Sequence, residues 1–286
     1  MFQEIAPHEL KNQYTPREPK KDDLVFFYHE QKIILQVENG ITSLPSVCQA
    51  KDKWQINTDD PKELQYLFQI DDRALFLSFQ EVEDRDGFSY HNLSELRTMQ
   101  PGWLSFAAVT AAHLAAWYEN HKFCGRCAAP MRHKADERAV VCPKCGLVVY
   151  PSIAPVVIVG VTDGDRLLLT RYNRKHGGYQ RYALNAGFVE IGEQLEDTVR
   201  REIMEDVGLK VKNIRYYKSQ PWGFSNSILA GFFADVDGDT TIHIDPEELS
   251  EGVWFDRKDL PMDDTGLSLT WTMIELFRAG KEPKAR

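Results

Sequence analysis

Two pairs of cysteines in one short segment are the feature that most constrains the fold of this chain. Four of its five cysteines form the pairs Cys124-Gly-Arg-Cys127 and Cys142-Pro-Lys-Cys145, which 14 residues separate. Two pairs at this spacing supply four thiolates to one ion, at about 2.3 Å from each sulfur for zinc. Disulfides are disfavoured because the chain begins with no apolar secretion signal, and a thioredoxin-like redox centre uses a single pair. We therefore predict a metal site.

Because residues 121–150 contain both cysteine pairs, we predict that this segment is a zinc ribbon. Thiolates favour zinc or an iron centre over magnesium or calcium, and four of them leave no position open for water, so we expect a structural ion. His133 lies between the pairs and is expected to be exposed rather than a ligand. The segment carries a charge of +4, which suits either solvation or nucleic-acid binding. Solvation is favoured because aromatic and basic residues do not alternate.

The overall charge and hydropathy exclude several classes of protein. With 34 basic and 43 acidic residues the net charge is −9, which argues against a broad surface for duplex DNA or anionic membranes. It does not exclude a phosphate substrate whose charge a cation neutralises. No apolar run approaches the roughly 20 residues of a membrane span. The N-terminal residues hold no apolar signal segment, so we expect a cytoplasmic protein without a membrane partner.

Local patterns divide the chain into three parts. After Pro151 apolar strand patterns at 155–162 and 166–172 lead into a helix that ends near Gly208. The part before the cysteines has shorter apolar runs and reads as mixed α/β. The predicted domains are an N-terminal mixed α/β domain at 1–120, the zinc ribbon at 121–150 and a third domain at 151–286.

The first predicted domain contains three local signals. Asn39-Gly40 between apolar runs indicates a β-hairpin turn. An alanine-rich stretch from residue 104 to 120 has the spacing of an amphipathic helix. The stretch from Pro61 to Gln69 is predicted as a short helix.

A helix predicted from Leu195 to Val207 concentrates acidic residues on one side. Its apolar residues recur every four positions and form one stripe. Glu202, Glu205 and Asp206 lie at i, i+3 and i+4, so three carboxylates crowd another side. Carboxylate oxygens are hard ligands that suit Mg²⁺ or Mn²⁺ together with a substrate phosphate. The pattern therefore predicts a cation site, and an acidic, solvated helix face is the alternative.

The segment from Gly187 to Leu209 resembles the Nudix box, whose pattern is G-x5-E-x7-R-E-(aliphatic)-x-E-E-x-G-(aliphatic). The positions that match in register are Gly187, Glu193, Arg201, Glu202, Ile203, Glu205, Gly208 and Leu209. Asp206 departs, because the family has a second glutamate there. Aspartate is one methylene shorter, so its oxygens reach less far toward a cation. The resemblance implies that the third domain is a Nudix α/β/α sandwich with a mixed sheet, and that the whole chain is α+β.

The resemblance also implies a pyrophosphohydrolase that acts on a nucleoside diphosphate linked to another group. Cations clamp the diphosphate while a water attacks one phosphorus in line, and a carboxylate accepts the proton of that water. The residues implied as cation ligands and catalytic groups are Glu202, Glu205, Asp206 and Glu248. Glu251 is the other loop candidate for the base. Glu193 and Arg201 are expected to form a structural ion pair.

A second motif, Ser219-Gln220-Pro221-Trp222, follows ten residues after the box. It resembles the SQPW signature of the NADH pyrophosphatase subfamily of Nudix enzymes, which also carries an N-terminal domain and a four-cysteine zinc ribbon. The resemblance covers 121–286 by motif and the first 120 residues by position alone. Gly223 and Ser225 replace both later prolines of the longer pattern SQPWPFPxS, which leaves the loop less restricted in φ.

The subfamily resemblance implies hydrolysis of NADH or NAD⁺ to nicotinamide mononucleotide, reduced or oxidised, and AMP. The catalytic cation is implied to be Mg²⁺ or Mn²⁺, and the structural ion Zn²⁺. An aromatic residue near Tyr150 reaches the partner's site in the family, so we expect a homodimer. Removal of NAD caps from RNA and a nucleotide-sensing module with weak catalysis are the alternatives. The residues implied to bind substrate are Phe188, Tyr150, Gln220, Trp222, Phe224 and Ser227.

Overall fold

Two compact units make up the computed structural model, which describes residues 1–58, 63–173, 181–262 and 266–285. No helix in these ranges is both long and apolar enough to span a bilayer. The division into three domains stays a prediction. The N-terminal unit consists of Gln3–Ser152 and Gly223–Asn226, and the C-terminal unit of Met1–Phe2, Ile153–Trp222 and Ser227–Arg286.

Within its described residues, the N-terminal unit contains two sheets, two α-helices and a short 3-10 helix at Leu93–Arg97. The strands of its larger sheet are β1 Leu10–Lys11, β2 Leu24–His29, β3 Lys32–Glu38, β4 Ile41–Ser43, β5 Gln65–Ile70, β6 Arg73–Ser78 and β7 Phe88–Asn92. Their order is β1-β5-β6-β2-β3-β4, and β7 pairs with β3. The second sheet has the order β10-β9-β8, from β8 Arg132–His133, β9 Val140–Val141 and β10 Val148–Val149. The helices are α1 Val47–Trp54 and α2 Gly102–Asn120.

Two of the three local predictions for this unit are confirmed. Asn39 and Gly40 join β3 to β4 with φ values of 51° and 77°, as a two-residue hairpin turn requires. The alanine-rich helix is α2. The predicted helix from Pro61 to Gln69 is wrong over its C-terminal half, because Gln65–Ile70 is β5 and pairs with both β1 and β6. Residues 61 and 62 lie outside the described residues.

The C-terminal unit is built around a mixed six-stranded sheet. Its strands are β11 Ala154–Asp163, β12 Arg166–Tyr172, β13 Asn185–Phe188, β14 Val211–Trp222, β15 Ser227–Val236 and β16 Leu249–Asp256, and its helices are α3 Leu195–Val207 and α4 Leu269–Arg278. The strand order is β14-β15-β11-β12-β16, with β13 on β11. β11 and β15 run parallel, and the other pairs are antiparallel.

The two helices of this unit lie on opposite faces of the sheet. Alternate residues of β11 point to opposite faces, and Val157 packs in the cluster that holds Ile203 of α3. Val156 packs instead in the cluster that holds Ile274 of α4. The predicted α/β/α sandwich with a mixed sheet is confirmed, since α3 covers one face and α4 the other.

Helix α3 has the predicted bounds, and its ends follow from local chemistry. Glu196 and Asp197 lie in the first turn, where a carboxylate interacts favourably with the helix dipole. Gly208 ends the helix in the left-handed conformation with φ 69°, and its N–H bonds back to the last turn. The buried stripe fixes the rotation of α3 on the sheet, which determines where its carboxylates point.

Candidate active site and zinc ribbon

The four cysteines of the ribbon lie together, with all Sγ atoms within 4.8 Å of one another. The Sγ atoms of Cys124 and Cys145 are 3.6 Å apart, and those of Cys127 and Cys142 are 3.5 Å apart. A tetrahedral zinc ion about 2.3 Å from each sulfur needs sulfurs roughly 3.8 Å apart. The N–H groups of Arg126 and Cys145 donate to Cys124 Sγ and Cys142 Sγ, each at 3.4 Å. The donor set therefore fits a closed, structural zinc site.

The pKa values of the cysteine thiols are also compatible with a bound cation. Burial opposes ionisation of Cys142, but backbone N–H groups of the following turn lower the pKa of its thiol to about 6. One backbone N–H favours the Cys127 thiolate, yet burial and the neighbouring sulfurs raise the pKa of that thiol to about 12. The Cys127 thiol therefore stays protonated until a cation binds and stabilises its thiolate. His133 bonds to Gln65 Oε1 at 2.6 Å and lies outside the cluster.

The first glycine of the box makes room for a carboxylate of α3. Gly187 lies on β13, directly beneath Glu202. A Cβ added at Gly187 would stand 1.8 Å from Cδ of Glu202, far inside any real contact distance. The box therefore needs glycine here because the Glu202 carboxylate occupies the space that a side chain would take.

Arg201 joins the loop before α3 to the carboxylates on the helix. Its Nε and Nη2 donate to the two oxygens of Glu193 at 2.6 and 2.9 Å, and Nη2 also donates to the Phe188 carbonyl at 2.9 Å. Its Nη1 donates to Glu202 Oε1 at 2.8 Å and to Glu205 Oε2 at 2.9 Å. The guanidinium lowers the pKa of Glu193 to about 2. The predicted pair of Arg201 and Glu193 is thus one part of a larger network.

Asp206 is the most buried carboxylate of α3, with 6% of its surface exposed. Burial, followed by the nearby charges of Glu202 and Glu248, raises its pKa to about 6, although a hydrogen bond from Asn185 Nδ2 at 3.0 Å opposes the shift. Burial also raises the pKa of Glu202, although Arg201 opposes the shift. These carboxylates resist ionisation in the absence of a cation, and a bound cation would favour their charged forms.

The loop that carries Glu248 is attached to the C-terminal end of α3. The N–H groups of His243 and Asp245 donate to the carbonyls of Val207 and Asp206, both at 2.9 Å. The exposed Glu248 carboxylate contributes to the raised pKa values of Glu202 and Asp206, so it faces the same acidic region. The charge of Glu248 therefore acts on the carboxylates of α3, and its role as a fourth ligand or a base stays a prediction.

Glu251, the other candidate for the base, pairs across the sheet instead. Its Oε2 lies 3.5 Å from Arg171 Nη1, and its carboxylate accepts a hydrogen bond from Tyr182. Glu251 lies on β16, opposite Arg171 of β12. Its carboxylate therefore interacts with Arg171 of β12 and with Tyr182, whereas the charge of Glu248 acts on the carboxylates of α3.

The carboxylates of α3 do not converge on one point. Within the described ranges, the four cysteines are the only group of three or more His, Cys, Asp or Glu whose ligand atoms lie within 4.8 Å of one another. Arg201 draws Glu202 and Glu205 together, whereas Asn185 holds Asp206. Mg²⁺ keeps several waters and uses only one or two carboxylates. Hard oxygen donors arranged this way fit hydrated divalent cations.

The predicted substrate residues of the C-terminal unit differ in exposure. Phe188 ends β13 just inside the box and is 56% exposed, which leaves its ring free to stack on a planar group. Gln220 is fully buried, and its amide donates to the Leu267 carbonyl at 2.9 Å and accepts from the Leu269 N–H at 2.6 Å. Ser227 is buried at the start of β15.

The remaining predicted substrate residues have aromatic or charged neighbours. Trp222 is half-buried and meets Phe2 edge to face, with ring centroids 6.4 Å apart. Tyr150 and Phe224 belong to the N-terminal unit. Tyr150 is 56% exposed and donates to a carboxylate oxygen of Glu137 at 3.2 Å. The guanidinium of Arg97 stacks over the Phe224 ring at 4.6 Å from its centroid.

Two residues at the site were missed from the sequence. Burial, with the charges of Asp206, Glu248 and Glu202, raises the pKa of Tyr172 to about 12, which places this phenol beside the carboxylates. Asn185 contacts Asp206 from β13. The available signal was a polar residue inside the short apolar strand Ala-Leu-Asn-Ala, where an inward-facing amide needs a partner.

Comparison with known protein families matches two adjoining stretches of the chain. Residues 119–150 match the NADH pyrophosphatase zinc ribbon domain, and residues 152–277 match the NUDIX domain. The NAD-capped RNA hydrolases NudC of Salmonella heidelberg (strain SL476) and Salmonella typhi are each 42% identical to the chain over 174 residues. That stretch is 60% of this chain and 66% of each relative, slightly less than two thirds of their length.

Among solved structures, a NUDIX hydrolase from Nitrosomonas europaea aligns with a TM-score of 0.49 and 22% identity. The alignment covers 58% of this chain and 96% of that one. The two family matches lie where the cysteine pairs and the box predict them, and they confirm the resemblance inferred from those motifs. Residues 152–277 therefore form a NUDIX domain, and an NADH pyrophosphatase zinc ribbon domain at residues 119–150 directly precedes it.

Proposed function

We propose that this protein hydrolyses the diphosphate bond of NADH or NAD⁺ to nicotinamide mononucleotide and AMP, with Mg²⁺ or Mn²⁺ as the catalytic cation. The observation that carries the proposal is the arrangement of acids on α3. Glu202 stands in the space that Gly187 leaves, Asp206 is buried beside it, and Glu248 faces both. The raised pKa values of Glu202 and Asp206 are typical of a functional site, and a bound cation would favour the charged forms of both carboxylates.

In the proposed reaction, the oxygen of a water forms a bond to one phosphorus as the bridging P–O bond breaks. The bridging oxygen leaves with the other phosphate, so both products are phosphomonoesters. When bound, the cations neutralise the diphosphate and the charge that develops on it. Glu202, Glu205 and Asp206 would hold them, and Glu248 would accept the proton of the attacking water. Arg201 keeps the carboxylates of Glu202 and Glu205 in place.

Recognition of the dinucleotide is proposed to rest on aromatic stacking. The exposed ring of Phe188 just inside the box supports this proposal, because a planar base gains most from an open aromatic face. Gln220 contributes through the position of β14 and α4, since its amide is already bonded within the fold. The other residues proposed to shape the substrate site are Tyr150, Trp222, Phe224 and Ser227.

Product analysis tests the proposed activity. NADH incubated with Mg²⁺ or Mn²⁺ is expected to yield AMP and reduced nicotinamide mononucleotide, separated by chromatography. Glu205→Gln is expected to lower kcat by about 100-fold or more, since it removes a proposed cation ligand. Glu196→Gln is the matched control, because it removes the same charge from an exposed position in the first turn of α3. Absence of both products from folded protein with either cation would refute the proposal.

Removal of NAD caps from RNA is a second candidate function. The relatives named as NAD-capped RNA hydrolases favour it, and so does the +4 charge of the ribbon segment. The same carboxylates would act on the same diphosphate bond. Rates with free NAD⁺ and with NAD-capped RNA at equal concentration separate the two candidates. Saturable NADH binding by calorimetry without release of AMP would favour a sensing module instead.

We also propose a homodimer and a cytoplasmic location. The exposed ring of Tyr150 supports the dimer, because exposed aromatic residues are enriched in protein interfaces. Sedimentation of the full chain is expected to give twice the chain mass of 32.9 kDa. Tyr150→Ala is expected to shift the protein toward the monomer. An unchanged monomer mass for the native chain would contradict the dimer.

A further inference from the structure

The strand beneath α3 meets the helix in register at two places. Alternate residues of a strand share a face, so Asn185 and Gly187 of β13 face the same way, about 6.6 Å apart. Glu202 and Asp206 are one helical turn apart on α3, with a rise of about 6 Å between them. Gly187 lies beneath Glu202 and Asn185 contacts Asp206. The two proposed cation ligands, Glu202 and Asp206, therefore each pack against a different residue of β13.

The amide of Asn185 is only half satisfied within the protein. The residue is 1% exposed, and its Nδ2 donates to Asp206 Oδ2 at 3.0 Å. Its Oδ1 is buried and has no hydrogen-bond partner. A buried carbonyl oxygen without a donor is costly, and such atoms in native proteins call for a specific explanation. Because Oδ1 and Nδ2 belong to one planar group, the unpartnered oxygen lies beside the carboxylate region.

We propose that Asn185 is a positioning residue of the cation site. Its Nδ2 holds the carboxylate of Asp206, and its Oδ1 accepts a hydrogen bond from a water of the hydrated cation. The inference rests on the proposed function only for the assignment of Glu202, Glu205 and Asp206 as cation ligands. It also accounts for the aspartate at position 206, because the short side chain leaves room for the amide between helix and strand.

Cation binding without substrate tests this role directly. Mn²⁺ is titrated into the full-length protein, and the free ion is followed by electron paramagnetic resonance. Asn185→Leu keeps the volume of the side chain but removes both polar atoms. Loss of a group that orients a ligand costs about 10–100-fold in metal affinity, and a loss in that range is expected here. A dissociation constant within about twofold of the native value would overturn the proposal.

A matched control separates positioning from a general loss of stability. Thr162 is also buried on the same sheet, and its hydroxyl lies 2.9 Å from a carboxylate oxygen of Asp235 and 3.2 Å from the Ala234 carbonyl. Thr162→Val removes a buried polar group outside the acidic region and is expected to leave Mn²⁺ affinity unchanged within about twofold. If this control weakens Mn²⁺ binding as much as Asn185→Leu, the proposal fails. Circular dichroism verifies that both variants are folded.

Lengthening the aspartate provides a second, independent arm. Asp206→Glu drives the carboxylate into Asn185, so Mn²⁺ affinity is expected to fall by about 10-fold or more. Adding Asn185→Ala makes room, and the double variant is expected to regain most of that loss. Tighter binding by Asp206→Glu alone would overturn the proposal. Because no substrate is present, a chain that binds Mn²⁺ as expected but releases no AMP from NADH refutes the proposed function and leaves the role of Asn185 standing.

Discussion

Replacing Asp206 with asparagine is expected to stabilise the C-terminal unit when no divalent cation is bound. Burial and neighbouring carboxylates raise the pKa of Asp206 from 3.8 to about 6. Stability that depends on its protonated form is therefore fully present below about pH 3.8 and is lost as the pH rises through 6. Asparagine reproduces the neutral form, and its carbonyl oxygen still accepts the hydrogen bond from Asn185.

The size of this effect follows from the shift. Each pKa unit corresponds to about 1.4 kcal/mol, so ionised Asp206 costs about 3 kcal/mol in the cation-free native state at pH 7.5. The difference between Asp206→Asn and the native chain shrinks to about 1 kcal/mol at pH 4.5, where Asp206 is almost entirely protonated in the folded state and still mostly ionised in the unfolded state. Mn²⁺ at a thousand times its dissociation constant reverses the order, because it adds about 4.1 kcal/mol to the native chain alone.

Hydrogen exchange measured by mass spectrometry is the suitable assay, since it reports the opening of one region in a chain of two units. Peptides that cover α3 are followed in resin-treated buffer at pH 4.5 and 7.5, with the zinc content of the protein verified. Rates are corrected for the intrinsic pH dependence of amide exchange. A difference between the two proteins that stays constant across this range would refute the reasoning, because only an ionising Asp206 produces the trend.

Three further predictions concern residues that support the two metal sites. Gly187→Ala is expected to weaken Mn²⁺ affinity about 10-fold or more by displacing Glu202, measured by titration. Arg201 lowers the pKa of Glu193 to about 2, so the thermal advantage of the native chain over Glu193→Gln is expected to shrink as the pH falls from about 4.5 toward 2. Cys142→Ser is expected to abolish stoichiometric zinc and lower the melting temperature, measured by atomic absorption and calorimetry.

Elements set by local chemistry were predictable from the sequence. The apolar stripe and Gly208 predict the bounds of α3, and Asn39-Gly40 predicts the hairpin of β3 and β4. The helix predicted from Pro61 to Gln69 failed because its C-terminal half pairs as β5 with β1 and β6. Pairing with distant strands decides the conformation of so short a segment, and no local pattern reports it.

The candidate site was likewise predictable where its residues follow a local pattern and unpredictable where they meet through distant contacts. Residues that carry charge at fixed spacings on one helix, such as Glu202 and Glu205, are visible in the sequence. The contact between Asn185 and Asp206 is not visible in the sequence, because the two residues are 21 positions apart. It depends on how β13 is placed in the sheet beneath α3. Tyr172 of β12 likewise shows no such link in the sequence, although the charges of these carboxylates help to raise its pKa. Polar residues in apolar strands are the signal that points to such contacts.

The aspartate at position 206 looks from the sequence like a weakened cation ligand, and the structure gives a different account of it. A glutamate would be one methylene longer at a position that is 6% exposed and already in contact with Asn185. The shorter acid and the amide together fill the space between α3 and β13. In this proposal, Asp206 and Asn185 together thus position the carboxylate for which the family pattern has a single, longer glutamate. Substituting either residue alone is therefore expected to do more harm than substituting both.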